Sequence, residues 1–103
     1  MTKSELMGVL ASKHSTLLQV DVELAVNTII DVLSTAVAQG ERIEIRGFGG
    51  FSTIPRKARI ARNPKTGKSV SLPSRYAIHF KPGLDLRNRV NASKLAFPTI
   101  KDL

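Results

Sequence analysis

A chain of 103 residues with 42% hydrophobic residues is enough for one packed domain, too short for two of ordinary size, and too apolar for wholesale disorder. It has no cysteine, which excludes disulfides and thiolate metal sites, and no apolar run approaching ~18 residues, which excludes a membrane-spanning helix. A net charge of +8 points to a polyanionic partner, because the release of condensed counterions makes phosphate backbones strong attractors of basic surfaces.

The opening "MTKSELMGVL" lacks the long apolar segment of a secretory signal, so a cytoplasmic address is expected. Thr2 and Glu5 form a capping-box pattern, and Leu6, Val9 and Leu10 follow at helical spacing, which predicts a first helix over Lys3–Lys13. Asp21 is placed to cap a second helix, with Val22, Ala25, Val26, Ile29, Leu33, Ala36 and Val37 on one stripe and Gly40 as the stop. Leu24, Ile30 and Val32 fall outside that stripe, so the helix needs burial on more than one side. A wide core face and a dimer interface both satisfy this pattern.

After Gly40 the period changes to two. Arg42, Glu44 and Arg46 alternate with Ile43 and Ile45, as in a half-buried strand. "GFGGF" (Gly47 to Phe51) makes a glycine-rich turn, and a second strand beginning at Phe51 completes a hairpin. From Pro55 to Arg75 the apolar residues thin to Ala58, Ile60, Ala61, Val70 and Leu72, predicting two strands joined at "NPKTG" as a projecting ribbon of marginal stability by itself. Tyr76, Ile78 and Phe80 then alternate as a buried strand. "KPG" (Lys81 to Gly83) is expected to open a last helix with Pro82 in its first turn, Leu86 and Val90 on its inner side, Asp85 near its start and Arg87 and Arg89 near its end. Residues 92–103 show no pattern and read as a flexible tail. Asn91, Ala92 and Ser93 match a glycosylation sequon, which carries no weight without a signal peptide.

The charge is unevenly distributed. Every acidic residue lies at or before Glu44 or at or after Asp85, while Ile45 to Leu84 holds Arg46, Arg56, Lys57, Arg59, Arg62, Lys65, Lys68, Arg75 and Lys81. Within this stretch, "KTGKS" imitates the end of a phosphate-binding P-loop. That motif needs a glycine where Arg62 stands and a helix where the alternating "VSLPSR" follows, so nucleotide hydrolysis is excluded. A turn reading survives, since Asn63 and Pro64 favour a turn start and Gly67 permits positive φ. A two-stranded basic ribbon is also narrow enough to lie in a DNA groove, where a compact proline without an N–H could wedge between base pairs.

"GERIEIRGFGGF", then "RNPKTGKSV", then "HFKPG", in this order, resemble the HU and integration host factor family of bacterial nucleoid proteins over about Met1 to Asn91. "MTKSEL" with "RIEIRGFG" and "HFKPG" is closer to the beta-type branch of that family than to HU or the alpha type. The resemblance implies an α+β fold with two N-terminal helices, a three-stranded antiparallel sheet with an extended β-ribbon arm over about 55–75, and a short C-terminal helix. It implies a single DNA-binding domain over 1–91, assembled as an intertwined dimer. Minor-groove binding with apolar wedges is a known property of the family and comes with the resemblance.

By match to the family motif, Pro64 is the intercalating residue. Arg56, Lys57, Arg59, Arg62, Asn63, Lys65, Thr66, Gly67, Lys68 and Arg75 are the arm contacts. Arg46 is the arginine that reaches the minor groove, and Glu44 the glutamate that orients it. Thr2, Lys3 and Ser4 at one helix start, and Lys81, Pro82 and Gly83 at another, are positioning contacts to phosphates, since free N–H groups and the helix dipole favour anions there. For Lys3 and Lys81 a solvated surface lysine fits equally well. Ala61 stands where the family often has glycine, and Leu84 where a lysine commonly follows "KPG", a departure that bears on one phosphate contact.

The expected role is an architectural, nucleoid-associated protein that bends double-stranded DNA in support of recombination, replication and transcription control. A heterodimer with an alpha-type subunit is favoured and a homodimer remains open. No enzymatic activity, cofactor, metal, membrane or small-molecule substrate is expected: His14 and His79 are far apart in sequence, with no HExxH pattern, and His79 suits packing or surface donation. The alternatives are an HU-type non-specific DNA-binding protein, an RNA-binding or ribosomal-type protein, and a dimerisation module with an incidental arm. The arm lacks the aromatic stacking platforms of single-strand RNA readers.

Overall fold

Thr2 caps the first helix as its sequence implies, its Oγ1 accepting a hydrogen bond from the Glu5 N–H at 3.2 Å. The computed structural model describes residues 1–97, 99 and 100, in the order α1 (Lys3–Lys13), α2 (Gln19–Ala38), β1 (Ile43–Ile45), β2 (Gly49–Arg56), β3 (Arg59–Arg62), β4 (Ser69–Leu72), β5 (Arg75–Pro82) and α3 (Leu84–Ser93). Of the predicted tail, residues 98 and 101–103 lie outside the described residues. Among those described, no helix is long and apolar enough to cross a membrane.

α2 starts earlier than Asp21 suggests. Leu18, in extended conformation, is its N-cap without a side-chain cap, and Asp21 lies inside the first turn with its N–H donating to the Leu18 carbonyl at 3.0 Å. Nothing in "LLQV" breaks a helix, so the helix runs back past the aspartate, whose charge still favours the positive end of the dipole. α1 packs on α2, and Val22 and Val26, each 5% exposed, are the buried hydrophobic residues among those described.

The sheet order is β1-β2-β5, antiparallel throughout. β2 begins at Gly49, two residues before the expected Phe51, because Gly49 pairs with both Ile45 and Pro82 and the turn is confined to Arg46–Phe48. Register places Phe51 opposite Phe80, with ring centroids 4.8 Å apart, and Phe48 packs on the same Phe80 ring at 5.3 Å. This cluster depends on Gly49: a Cβ there would sit 2.6 Å from the Lys81 carbonyl oxygen and 2.7 Å from the Phe80 ring.

Two expectations about the last strand and helix are corrected. Pro82 does not open α3; it closes β5 opposite Gly49, and Gly83 is the N-cap, its N–H donating to the Phe48 carbonyl at 2.8 Å. A proline's fixed φ suits a strand end as well as a helix start, so its presence did not separate the two. Arg87 and Arg89 lie mid-helix, because α3 continues through Ser93, whose hydroxyl donates to the Arg89 carbonyl at 2.7 Å. Leu86 is half-buried and Val90 is exposed.

The larger correction concerns burial. Tyr76 and Ile78, expected to be buried by alternation, are 78% and 68% exposed. Their register partners Pro55 and Thr53 put them on the face of the sheet that carries Ile43, Phe51 and Phe80, beyond the reach of α2. Between them and the C-terminal half of α2 lies an open apolar hollow of about 740 Å³, reaching Leu33, Val37, Ile43 and Phe51. Leu24, Ile29 and Val32 on α2 are also mostly exposed.

A compact chain of 11.2 kDa would expose about 5,700 Å² and have a radius of gyration of about 13 Å. This one exposes 9092 Å² with a radius of 19.0 Å. The projecting arm accounts for part of that excess, and the bare faces of α2 and the sheet mark where a second subunit is required. Thermal unfolding followed by circular dichroism should therefore shift upward across roughly a hundredfold increase in protein concentration. A midpoint independent of concentration would show that the single chain folds alone.

Two glycine-to-alanine substitutions should move stability in opposite directions. Gly49→Ala overpacks the Phe80 ring and the Lys81 carbonyl and should cost about 1–3 kcal/mol in urea denaturation. Gly8→Ala, in α1 with nothing within 4 Å of the new methyl, should add about 0.5–1 kcal/mol.

Candidate nucleic-acid interface

The arm is a separate two-stranded sheet, β3 against β4, with Arg59 opposite Leu72, Ile60 opposite Ser71, Ala61 opposite Val70 and Arg62 opposite Ser69. Since register partners share a face, Arg59, Ala61, Val70 and Leu72 lie on one side and Ile60, Arg62, Ser69 and Ser71 on the other. The first side is the more apolar, and Ala61 and Leu72 are half-buried there. The arm's cations are therefore carried on both faces of the ribbon.

Its tip is closed by a set of local hydrogen bonds. The Asn63 N–H donates to the Lys68 carbonyl and the Gly67 N–H to the Asn63 carbonyl, both at 2.8 Å. Asn63 Oδ1 accepts from the Lys65 N–H at 2.9 Å, and Thr66 Oγ1 from the Lys68 N–H at 3.3 Å. These bonds, with Gly67 at φ +72°, commit the polar groups of Asn63 and Thr66 to holding the turn. Pro64 stands exposed at the apex, with no N–H to satisfy. Lys65 and Lys68 flank it, also exposed.

Arg56, Lys57, Arg59, Arg62 and Arg75 are exposed along the arm and its base, and among the described residues none of them forms an ion pair. On the body, Lys3 and Ser4 are exposed in the first turn of α1, where Thr2 is already engaged as cap. Lys81 is exposed at the end of β5, next to the Gly83 N-cap of α3. Lys81, Pro82 and Gly83 thus precede α3 instead of forming its first turn.

Glu44 and Arg46 are not brought together. The Glu44 carboxylate accepts from Arg42 Nε at 2.9 Å, both side chains largely exposed, and among the described residues Arg46 forms no ion pair. Arg42 is the residue the sequence reading passed over as a site residue. β1 spans only Ile43–Ile45, and Arg42 and Arg46 flank Glu44 two residues to either side, so the alternation pointed to both arginines alike. Phe48 and Gly49 were likewise missed as the parts that fix Lys81 and the start of α3. Among the described residues no cluster of His, Asp and Glu has metal-binding geometry.

Known proteins share this arrangement. The family model described as bacterial DNA-binding protein matches residues 1–91. The integration host factor subunit beta of Alkalilimnicola ehrlichii is 58% identical over 94 residues, covering 91% of this chain and 94% of that protein. The same subunit of Thioalkalivibrio sulfidiphilus is 61% identical over 92 residues, covering 89% and 96%. Among solved structures, an Anabaena HU–DNA cocrystal structure matches with a TM-score of 0.78 and 30% identity over 87% of this chain and 97% of that one. Thermotoga maritima HU matches with a TM-score of 0.59 and 29% identity over 87% and 98%. With a match that runs from Met1 through the arm and into α3, the chain belongs to the bacterial DNA-binding protein family of HU and integration host factor.

Proposed function

We propose that this protein is an architectural DNA-binding protein of the integration host factor type. As a dimer it lays two arms in the minor groove and kinks the duplex by inserting Pro64 between base pairs. The observation that carries this reading is the tip: a proline raised on a hydrogen-bonded turn, flanked by Lys65 and Lys68, at the end of a ribbon whose cations have no carboxylate neighbours in sequence. The solved relative in complex with DNA and the beta-subunit relatives support it.

In this reading Arg56, Lys57, Arg59, Arg62, Lys65, Lys68 and Arg75 neutralise phosphates, while Asn63, Thr66 and Gly67 keep the wedge presented. Arg46 reaches the minor groove. Glu44 either stays with Arg42 or moves to Arg46 when DNA arrives, and in both cases it keeps one arginine oriented. Lys3, Ser4, Lys81 and the first N–H groups of α1 and α3 grip phosphates on the flank. Unstacking costs a few kcal/mol per step, offset by the phosphate contacts that a bent duplex can make with the body. The binding unit spans 1–91 with 92–103 outside it, and the favoured partner is an alpha-type subunit that covers the bare faces of α2 and the sheet. The role is one of binding and shaping DNA, in recombination, replication, transcription control and nucleoid organisation, and it needs no catalytic step.

Bending can be read by fluorescence transfer between dyes at the two ends of a short duplex. Pro64→Ala is expected to lower transfer markedly while most binding affinity persists, and unchanged transfer would remove the wedge assignment. Binding itself should be steeply salt-dependent, since about 6–10 neutralised phosphates cost a factor of roughly 10³–10⁵ in affinity between about 50 and 200 mM salt. A shallow dependence would favour a dimerisation module, and tighter binding to duplex or single-stranded RNA than to duplex DNA would favour an RNA-binding protein.

A further inference from the structure

α2 is apolar on two sides, and a second subunit seated on one of them leaves the other bare. Val22 and Val26 are buried, and Ile29, Leu33 and Val37 continue their stripe toward the open sheet face. Val20 and Leu24 lie one helical turn apart and close to diametrically opposite Val22, and both are mostly exposed. α2 also holds Asp21, Glu23 and Asp31 and no lysine or arginine, so it is not a surface that attracts DNA.

A second exposed apolar pair lies just beyond α3. The Ala96 and Phe97 N–H groups donate to the Ser93 carbonyl at 3.0 and 3.1 Å, so the chain leaving α3 is held in a turn. That turn keeps Leu95 94% and Phe97 58% exposed. Its charge is the reverse of that of α2: residues 86–101 contain Arg87, Arg89, Lys94 and Lys101 and no carboxylate. The pair lies past residue 91, outside the part of the chain that the family match covers.

We propose that Leu95 and Phe97 dock on the Val20–Leu24 side of α2 in a second copy of this chain, linking one dimer to the next. Each surface supplies what the other lacks. One is aliphatic within an acidic helix, and the other is a leucine and an aromatic ring within a basic stretch. All four side chains stay exposed in the single chain, so the contact is not made within it. Because the two patches differ, a dimer that gives its tail keeps a face free to receive one, and the link can repeat. So few side chains bury far less than the ~1,600 Å² of a stable interface. The link is therefore weak in dilute solution and forms where dimers are held close together.

Sedimentation velocity of the full-length protein in its dimeric form, without DNA, tests this from micromolar to near-millimolar concentration. Species larger than the dimer should appear as concentration rises. Leu95→Ser combined with Phe97→Ser should weaken that association by about tenfold or more, and Val20→Ser combined with Leu24→Ser should do the same. The decisive measurement is the mixture. Tail-substituted dimers still have faces and face-substituted dimers still have tails, so mixing the two variants should restore links that neither forms alone. A tail that met another tail would not be rescued in this way.

The proposal is overturned if the unsubstituted protein stays dimeric at every concentration, if either variant associates like it, or if the mixture regains nothing. It is also overturned if the tail variant lowers the thermal midpoint of the dimer while leaving higher association unchanged, since the tail would then pack on its own partner subunit. With DNA left out, the DNA-bending reading is judged separately by fluorescence transfer, and either can fail while the other stands.

Discussion

The constraint on which everything else depends is the lack of a self-contained core. Val22 and Val26 are the buried hydrophobic residues among those described, while Leu24, Ile29, Val32, Tyr76 and Ile78 stand in solvent. Two buried valines cannot offset the conformational entropy of ordering a domain this size. The long α2 and the apolar sheet face therefore make sense only as halves of a shared interior. Once folding is tied to association, each subunit contributes one arm and the assembled pair carries two, so a pair of arms is a consequence of the packing.

That division frees the middle of the sequence from core duty. Pro55 to Arg75 carries no carboxylate and, of large apolar side chains, only Ile60, Val70 and Leu72, so its residues can be chosen for charge and shape. The aromatic cluster of Phe48, Phe51 and Phe80 is where the two tasks meet. It anchors β2 and β5 to each other, and through the Phe48 carbonyl it sets Gly83 and so the start of α3. Gly49 is the point at which this arrangement leaves no room for a side chain. The strands that leave this cluster become the base of the arm, so the arm inherits its direction from three phenylalanines and one glycine.

Local chemistry was legible in the sequence where short-range rules decide the outcome. Thr2 caps α1, Gly40 ends α2 with positive φ, and the Asn63–Lys68 turn takes the form its residues dictate. What was not legible depended on longer-range competition. Asp21 looks like a cap because of its type, yet the residues before it are equally content in a helix. Pro82 fits two backbone settings, and the pairing with Gly49 chose between them. Alternation correctly put Tyr76 and Ile78 on the apolar face but could not say what covers that face, since periodicity reports a side and not a neighbour. The ribbon of the candidate site was legible in composition and order, through its freedom from carboxylates and its turn residues. The Arg42 pairing was not, because three charges alternating on one strand leave open which two will meet.

The arm's two ends follow opposite rules. At the tip, four hydrogen bonds within six residues hold Pro64 at the apex of a closed turn. At the base, residues 57–58 and 73–74 belong to no strand and interrupt the ladder between the Arg56–Arg75 and Arg59–Leu72 pairs. A ribbon stiff throughout would have to meet the groove at one angle, and one soft throughout could not hold a kink. In the proposed reading, the firm turn suits Pro64 to act as a wedge, and the break in the ladder is where the arm can adjust its angle to a groove.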